Sequence, residues 1–438
     1  MSGLEIGALS LVAMLVLIYA GMHVGVALTL LSFLGVWAIK GRMIVASKLL
    51  AQAAADSIAS HIFGVVPLFV LMGLLVSHSD VGRDTFEVAN RLFRRVKGGL
   101  GIATVAANAI FAAITGISIA SAAVFTKVAV PEMLRLGYTP RFSVGVVAGS
   151  SVLGMLIPPS LLLIVYGFLA ETSVGALFIA GILPGLVLAF AYGTAILVMA
   201  HRFPAFVGGS EDGHGRVIRE DLGPGEIVLK LAPIVGLVTV VLGGIYGGLF
   251  TPTEAGAVGA LGALVLALAR RKLTWPGFWQ VLVETGHVTV SISFLLIAAS
   301  IYTRMLALSG LPQFLIGGIA AAGLGFPALL AIYIGLIVVM GTVLDSTSIL
   351  LIVLPLVLPI VAGFEADLVW FGIVTIIAVE IGLLTPPLGI AVYVIKSTLD
   401  DDRISLGDIF RGAFPFAVIM LVVLGLVVAL PGLSLALL

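Results

Sequence analysis

The chain of 438 residues contains no cysteine, and only 10% of its residues are charged. Without cysteine there are no disulfides, no thiolate metal ligands and no cysteine nucleophile. A soluble domain carries about 25% charged residues, because its water-facing surface has to be covered. The low charge therefore excludes a soluble enzyme and a nucleic-acid-binding protein.

Two further absences narrow the class of protein. The dipeptide Gly-Lys occurs nowhere, so the chain has no Walker A loop and is not an ATPase. The six histidines show no metal-ligand spacing, and the 22 basic residues balance the 22 acidic ones. No acid-base or metal cluster points to a membrane-embedded enzyme, and no cofactor is expected. Energy for any pumping must come from an ion gradient or from another subunit.

Hydrophobic segments fill the chain instead, since 61% of the residues are hydrophobic and the mean hydropathy is +1.27. Charge-poor runs of nearly 20 residues recur from Leu4 to Leu435, and each can cross a hydrocarbon core of about 30 Å as a helix. This predicts an all-α polytopic membrane protein. No basic region precedes residues 4–20, so we expect a retained first helix and not a cleaved signal.

Two apolar runs turn back at a short polar tip. Runs 99–114 and 117–134 meet at Thr115-Gly-Ile-Ser118, and runs 326–342 and 346–362 meet at Asp345-Ser-Thr-Ser348. Paired arms of this kind predict re-entrant helical hairpins. A Pro-Pro pair follows each tip at similar spacing, in Gly154-Met-Leu-Ile-Pro158-Pro159 and Gly382-Leu-Leu-Thr-Pro386-Pro387. Equivalent interruptions in both halves indicate a transporter built from two repeats.

The repeat predicts a division of the chain into two halves joined by a cytoplasmic linker at 201–225. The stretches 45–77 and 274–308 correspond in this scheme. The first half, 1–200, has scaffold helices in 1–97, a hairpin at 99–134, a broken helix at 142–170 and a helix at 174–200. The second half, 226–438, has scaffold helices in 226–308, a hairpin at 326–362, a broken helix at 367–397 and a helix at 412–435.

Charge asymmetry predicts that the two repeats are inverted. With five full spans and one hairpin in each half, all basic residues except Lys40, Arg42, Lys48 and Arg304 fall on one side. The positive-inside rule makes that side cytoplasmic, so both termini are expected to be periplasmic and the two tips to face each other near the midplane. Residues 83–97 are predicted to lie on the cytoplasmic leaflet through Phe86, Leu92, Phe93 and Val96. Residues 48–62 fit an interfacial helix or a docking surface for another subunit.

The broken helices are where the chemistry is expected. A helix interrupted inside a membrane exposes carbonyls, which suit Na⁺, and a half-helix N-terminus, which suits a carboxylate. Carbonyl and hydroxyl oxygens without clustered carboxylates favour a monovalent cation over a divalent one. The candidate residues of the first half are Thr115, Gly116, Ser118, Ser121, Gly154, Ile157, Pro158 and Pro159, and those of the second half are Gly341, Asp345, Ser346, Thr347, Gly382, Thr385, Pro386, Pro387 and Leu388.

Four charged residues lie in or near the apolar segments. Asp345 either shapes the second tip or an ion site, or caps a helix. Glu380 either carries a proton or pairs structurally with another span. Glu254 favours a helix start, and Arg304 is expected to extend to the membrane surface rather than to bind substrate.

Five sequence runs resemble the large membrane subunit of tripartite ATP-independent periplasmic (TRAP) transporters. The resemblance implies an elevator-type secondary transporter that takes up an organic acid, such as a C4-dicarboxylate, a sialic acid or a 2-oxo acid, with Na⁺. It also implies two partners, a small membrane subunit and a periplasmic substrate-binding protein. The runs are TGISIASAAVFTKVAVPEMLRLGY (115–138), GSSVLGMLIPPS (149–160), TPTEAGAVGA (251–260), GTVLDSTSILLIVLPLVLPI (341–360) and WFGIVTIIAVEIGLLTPPLG (370–389).

The resemblance also implies two Na⁺ sites. One uses Thr115 and Ser118 with Gly154, Ile157 and Pro159. The other uses Gly341 with Gly382, Thr385 and Leu388, mostly through carbonyls. Many relatives have Ser-Gly-Ser-Ser at the first tip, whereas Ile117 here removes one hydroxyl. No small-subunit sequence precedes Met1, so the unfused form is expected. A stand-alone ion-coupled carboxylate carrier is the first alternative, and a channel or non-transporting scaffold is the second.

Overall fold

The computed structural model describes residues 1–209, 223–323, 325–399 and 401–438. All regular elements in these ranges are helices, which confirms the all-α prediction. The first half contains α1 (Gly3–Tyr19), α2 (Val24–Lys40), α3 (Met43–Ala59), α4 (Val65–Ser77), α5 (Val81–Phe93), α6 (Gly99–Thr115), α7 (Ser118–Arg135), α8 (Pro140–Ser151), α9 (Leu153–Leu156), α10 (Leu161–Leu169), α11 (Val174–Arg202) and α12 (Pro204–Val207). The second half contains α13 (Pro224–Tyr246), α14 (Pro252–Ala269), α15 (Trp275–Ser309), α16 (Leu311–Ala321), α17 (Phe326–Gly341), α18 (Ser346–Gly363), α19 (Leu368–Leu383), α20 (Ile390–Thr398), α21 (Leu406–Ala429) and α22 (Gly432–Leu435).

Several of these helices are long and apolar enough to cross a membrane. Within the described ranges six qualify singly, and up to eight spans result if each of two bent pairs is one span. The bent pairs are α4 with α5, at 61°, and α8–α9 with α10, at 44°. The hairpin arms α6 and α17 are shorter apolar helices, as is α19. The chain is therefore a multi-pass membrane protein with short interrupted segments beside full spans.

The two halves of the sequence pack into each other. Helix α14 lies along α4, and α21 lies along α8. Small residues permit the second contact, since a Cβ added to Gly145 would lie 2.2 Å from the carbonyl oxygen of Gly412. Close backbone approach of this kind is common between membrane helices, where small residues replace the hydrophobic effect as the basis of packing.

The stretches 45–77 and 274–308, which the predicted repeat relates, differ in continuity. The first is divided into α3 and α4 by a short 3-10 turn at His61–Gly64, whereas the second is the unbroken 35-residue helix α15. Pro67 lies just after this turn, in the first turn of α4, where a proline is tolerated. At the third position of α4 the missing N–H costs nothing. In α15 the single proline, Pro276, likewise lies in the first turn.

Helix α5, which overlaps the residues 83–97 predicted to lie on the cytoplasmic leaflet, packs on one side against α6 and α13. Phe86 is buried, but Leu92 is 63% exposed, so the predicted apolar face is divided. The acidic residues of α5 hold it to the second half. Asp84 pairs with Arg270, and Glu87 accepts a hydrogen bond from Lys230 at 2.6 Å. These ion pairs are not visible in the local pattern, because their partners are more than 140 residues away.

The predicted linker is structured at both ends. Helix α11 extends to Arg202, and α12 follows at once; the N–H of Thr139 donates to the carbonyl of Val207 at 3.0 Å. Helix α13 begins at Pro224, and residues 210–222 of the linker lie outside the described residues. The expected helix start at Glu254 is present, since Thr251 and Glu254 form a capping box on α14. The side chain of Arg304 is 37% exposed and pairs with Asp56 of α3 at 2.7 Å.

Candidate functional site

The first hairpin tip turns sharply between α6 and α7. Helix α6 ends at Thr115, Gly116 has a φ of +62°, and α7 begins at Ser118. The carbonyl of Gly116 accepts a hydrogen bond from the N–H of Leu161 at 3.2 Å. A Cβ on Gly116 would lie 2.4 Å from the carbonyl oxygen of Pro159. Glycine is therefore required at position 116 for two reasons, namely its positive φ and its close contact with the broken helix.

The second tip makes the equivalent contact with its own broken helix. Helix α17 ends at Gly341 and α18 begins at Ser346. The carbonyl of Thr342 accepts hydrogen bonds from the N–H groups of Leu388 at 3.0 Å and Gly389 at 3.3 Å. In both halves, then, a carbonyl at the end of the first hairpin arm faces the chain just after a Pro-Pro break.

The breaks themselves fall where the prolines predict. In the first half α9 ends at Leu156, Ile157 is extended, and α10 begins at Leu161. In the second half residues 384–389 separate α19 from α20. The Pro158-Pro159 and Pro386-Pro387 peptide bonds are both cis. Because proline lacks an N–H, carbonyls one turn earlier lose their helical partners and become available to a ligand.

The two sites differ in exposure. Pro158 and Pro159 are buried, as are Thr115 and Gly116, whereas the second-half residues Pro386, Pro387 and Leu388 are exposed. A Cβ on Gly73 of α4 would lie 2.8 Å from the carbonyl oxygen of Thr115, so α4 covers the first tip. The first site is therefore enclosed in this conformation, and the second is open on one side.

Hydroxyl groups at the tips fall into two classes. Thr115 donates to the carbonyl of Phe111 at 3.1 Å, and Thr385 donates to that of Ile381 at 2.7 Å. The oxygens of these two hydroxyls keep lone pairs for a further ligand. The hydroxyls of Ser118 and Ser121 are buried without any hydrogen-bond partner. An unsatisfied buried hydroxyl costs about 1–3 kcal/mol, which a bound cation or carboxylate at the tip would offset.

Asp345 is the N-cap of α18. Its carboxylate accepts from the N–H of Ser348 at 3.0 Å and also from the Ser348 hydroxyl. The structure shows the cap, and a role of Asp345 in shaping the tip or an ion site stays a prediction. Thr347, the second residue of α18, is half-buried.

Glu380 lies in α19 and is only 1% exposed. The hydroxyl of Ser346 donates to its Oε1 at 3.2 Å, while Oε2 has no hydrogen-bond partner. The second tip therefore contacts this carboxylate through Ser346. The sequence marks Glu380 as an intramembrane charge, but no local signal predicts its neighbours.

A small cavity lies between α4 and the first tip. Its volume of about 10 Å³ is bounded by Val70, Thr115, Gly116 and Pro159, among others. A space of this size is at the lower limit for one water molecule, and its lining is mostly apolar. No group of three His, Asp or Glu side chains able to hold a metal occurs in the described parts of the chain. The oxygens that are present, from carbonyls and hydroxyls, fit a monovalent cation such as Na⁺.

Comparison with known proteins gives the family. The family model described as "Tripartite ATP-independent periplasmic transporter, DctM component" matches residues 11–433. The chain is 34% identical over 375 residues to the C4-dicarboxylate TRAP transporter large permease protein of Pseudomonas aeruginosa, covering 85% of each chain. It is 31% identical over 431 residues to the sialic acid TRAP transporter large permease protein of Vibrio cholerae, covering 96% of each. A third relative, from Escherichia coli, is the 2,3-diketo-L-gulonate TRAP transporter large permease protein, 29% identical with 88% of each chain covered.

Two solved transporters share the fold. The YdaH transporter of Alcanivorax borkumensis has a TM-score of 0.59 at 14% identity, over 90% of each chain. MtrF of Neisseria gonorrhoeae has a TM-score of 0.59 at 11% identity, over 87% of this chain and 83% of that one. The extensive match to the family model and to the large permease proteins confirms the resemblance found in the sequence. The chain belongs to the tripartite ATP-independent periplasmic transporter family as its DctM component, a membrane permease and not an enzyme.

Proposed function

We propose that this protein is the large permease subunit of a Na⁺-coupled TRAP transporter that takes up an organic acid across the bacterial inner membrane. A small membrane subunit would complete the permease, and a periplasmic binding protein would deliver the substrate. The relatives named above transport C4-dicarboxylates, sialic acid and 2,3-diketo-L-gulonate, which are all organic acids. A carboxylate is the substrate feature that they share.

One observation supports this function most strongly, namely the paired contact of each tip with its broken helix. The first arms, α6 and α17, present their C-terminal carbonyls there, and the second arms, α7 and α18, present their N-termini. Helix C-termini favour cations and N-termini favour carboxylates. The first Na⁺ site then comprises Thr115, Gly116, Ser118, Gly154, Ile157 and Pro159, and the second comprises Gly341, Gly382, Thr385 and Leu388.

The substrate carboxylate would lie near the starts of α7 and α18, where Ser121, Ser346 and Thr347 supply hydroxyls. Asp345, Pro158, Pro386 and Pro387 shape the same region. We further propose that the halves are inverted repeats with both termini in the periplasm, a topology that the distribution of Lys and Arg favours. The hairpins and broken helices would move together as an elevator, because each tip is held to its break by backbone contacts.

Coupling energy limits the accumulation of substrate. A tenfold Na⁺ gradient supplies about 1.4 kcal/mol per ion, so two ions supply about 2.8 kcal/mol, or roughly a hundredfold accumulation. Two Na⁺ carried with a dianion move no net charge. With a monoanion one net charge moves, and each 100 mV adds about 2.3 kcal/mol.

Reconstituted uptake tests the proposal. Proteoliposomes containing the permease and its small membrane subunit, with the cognate binding protein outside, should accumulate substrate with an inward Na⁺ gradient and not with K⁺. Ser118→Ala should raise the half-saturating Na⁺ concentration. Ser57→Ala, which removes a buried hydroxyl in α3 bonded only to its own helix at 2.8 Å, should leave it unchanged.

Three outcomes would contradict the proposal. Uptake that is equal with a K⁺ gradient and with a Na⁺ gradient would show that transport is not coupled to Na⁺. Full uptake by this chain without either partner would favour a stand-alone carrier. A substrate current that needs no ion gradient and saturates weakly would favour a channel.

A further inference from the structure

A side-chain hydrogen bond links the first arm of each hairpin to the broken helix of the same half. In the first half the Nδ2 of Asn108 in α6 donates to the Oγ of Ser150 in α8 at 2.6 Å. In the second half the hydroxyls of Tyr333 in α17 and Thr375 in α19 are bonded at 2.8 Å. All four side chains are buried. The partners of each bond are 42 residues apart, so the two bonds occupy equivalent positions in the predicted repeat.

The two bonds also have the same direction. The hydroxyl of Ser150 donates its proton to the carbonyl four residues earlier in its own helix, and so does the hydroxyl of Thr375, both at 2.7 Å. Since the Thr375 proton is used in this way, Tyr333 donates to Thr375 just as Asn108 donates to Ser150. In each half the arm therefore supplies the donor, and the broken helix supplies a hydroxyl oxygen, although the residue types differ.

Each bond is the second of two contacts between an arm and its broken helix. The first contact is the backbone hydrogen bond at the tip, where the carbonyls of Gly116 and Thr342 accept from Leu161 and Leu388. The side-chain bond lies about two helical turns, or about 11 Å, before the end of the arm. One contact alone would leave the arm free to tilt about it. Two contacts at this separation fix both the height and the tilt of the arm.

The amide of Asn108 is only partly satisfied by this arrangement. Its Oδ1 is buried and has no hydrogen-bond partner within the described ranges. A leucine, which has a similar size, would avoid the cost of burying that oxygen. Stability therefore does not explain why an amide stands at this position, whereas a need to place the arm does.

We propose that Asn108 and Tyr333 are positioning residues, each of which holds the tip of its hairpin at the distance from the broken helix that one Na⁺ site requires. This inference rests on the proposed Na⁺ coupling. The oxygens of each proposed site are divided between a tip and a break, so a change in their separation weakens ion binding. Neither side chain touches an ion, and each acts through the arm that carries it.

The test measures Na⁺ binding by thermal stabilisation of the purified permease complex, titrated with NaCl at constant ionic strength in KCl. Tyr333→Phe removes only the hydroxyl of the second-half bond. Asn108→Leu removes the first-half bond together with the unsatisfied oxygen. We expect each variant to raise the half-saturating Na⁺ concentration about threefold, which corresponds to the loss of one hydrogen bond between membrane helices. The melting temperature of Asn108→Leu in KCl alone should not fall, and this separates positioning from general stability.

Matched variants keep the test decisive. Thr126→Val removes a buried hydroxyl of the hairpin arm α7, which donates to the carbonyl of Ala122 in the same helix at 2.6 Å, and should leave the half-saturating Na⁺ concentration unchanged. Thr375→Ser keeps the oxygen that accepts from Tyr333 and should bind Na⁺ as the wild type does, whereas Thr375→Val should behave as Tyr333→Phe. Thr375→Val and Ser150→Ala take the place of the first two variants if either fails to fold, as judged by its melting temperature in KCl.

The outcomes separate the inference from the proposed function. A wild-type half-saturating Na⁺ concentration in a folded Tyr333→Phe or Asn108→Leu overturns the inference for that half, while Na⁺ coupling stands. An equal shift in Thr126→Val also overturns it, because loss of any buried hydroxyl would then have the same effect. A wild-type protein that Na⁺ does not stabilise, and that transports equally in K⁺, overturns the proposed function and the inference with it.

Discussion

Gly341 and Gly382 bring α17 and α19 into direct backbone contact, so that a Cβ on Gly382 would lie 2.6 Å from the Cα of Gly341. Gly382→Ala should therefore push the second tip away from its broken helix. Overpacking of this kind costs about 1–3 kcal/mol and displaces the carbonyls of the second Na⁺ site. We expect a lower melting temperature and the loss of most Na⁺-driven uptake in proteoliposomes.

Gly335→Ala is the matched control, because Gly335 lies in the same helix as Gly341 and has nothing within 4 Å of its would-be Cβ. It should fold and transport as the wild type does, with a slightly higher stability from helix propensity. Equal behaviour of the two variants would show that the backbone contact does not support the site.

A second glycine contact, between α8 and α21, tests how much close packing between the two halves contributes to stability. A Cβ on Gly412 of α21 would lie 2.0 Å from the carbonyl oxygen of Arg141 in α8. Gly412→Ala should cost about 1–3 kcal/mol and lower the melting temperature measured in detergent. Gly425→Ala, in the same helix but facing open space, should not lower it. A wild-type melting temperature for Gly412→Ala would contradict this packing.

The ion pairs in and just before α5 predict that substitution of two lysines has unequal effects on stability. Lys230 is 19% exposed and lies 2.6 Å from Glu87 and 3.8 Å from Asp84. Lys230→Ala removes one cationic partner from each of these two partly buried carboxylates. We expect it to lower the free energy of unfolding by about 1–2 kcal/mol, which is less than for a fully buried ion pair because water reaches the site. Lys272 is 55% exposed beside Asp80, so Lys272→Ala should have little effect. Thermal unfolding of both variants checks the difference, and an equal loss would show that burial is not the cause.

Substrate charge predicts the dependence of uptake on membrane potential. If two Na⁺ accompany each substrate, a dianion moves no net charge and a monoanion moves one. Imposing 100 mV, negative inside, should leave the accumulation of a dianion unchanged. For a monoanion it should add about 2.3 kcal/mol to the driving force and so increase accumulation roughly fiftyfold. Valinomycin-clamped proteoliposomes measure this. Voltage-driven accumulation of a dianion would require a third cation.

The sequence predicts local features of this protein well, because helix ends and breaks depend on nearby residues. The helical arms of the first hairpin begin and end within one residue of the predicted positions, and the Pro-Pro pairs coincide with the breaks. Contacts between distant segments are different. The packing of α5 depends on Lys230 and Arg270, and the contact of Ser346 with α19 depends on Glu380. These are set by how helices cross in space, which no local periodicity encodes.

The repeated sequence motif also does not predict the difference in solvent exposure between the two sites. Pro159 and Pro387 occupy equivalent motifs, yet the first is buried and the second exposed. At the first site α4 covers the tip, through the contact of Gly73 with Thr115, and Gly116 of the tip lies against Pro159. A repeated motif predicts similar backbone geometry in each half, but neighbouring helices decide which copy is covered.

The joint at His61–Gly64 has a mechanical consequence when it is set against the unbroken helix α15. At 1.5 Å per residue, the 35 residues of α15 extend about 52 Å, well beyond the hydrocarbon thickness. When a continuous helix tilts, it transmits a displacement from one membrane surface to the other. A segment that is interrupted between α3 and α4 can bend at the interruption instead. Helix α15 is therefore suited to act as a rigid lever, and the joint between α3 and α4 is suited to act as a hinge.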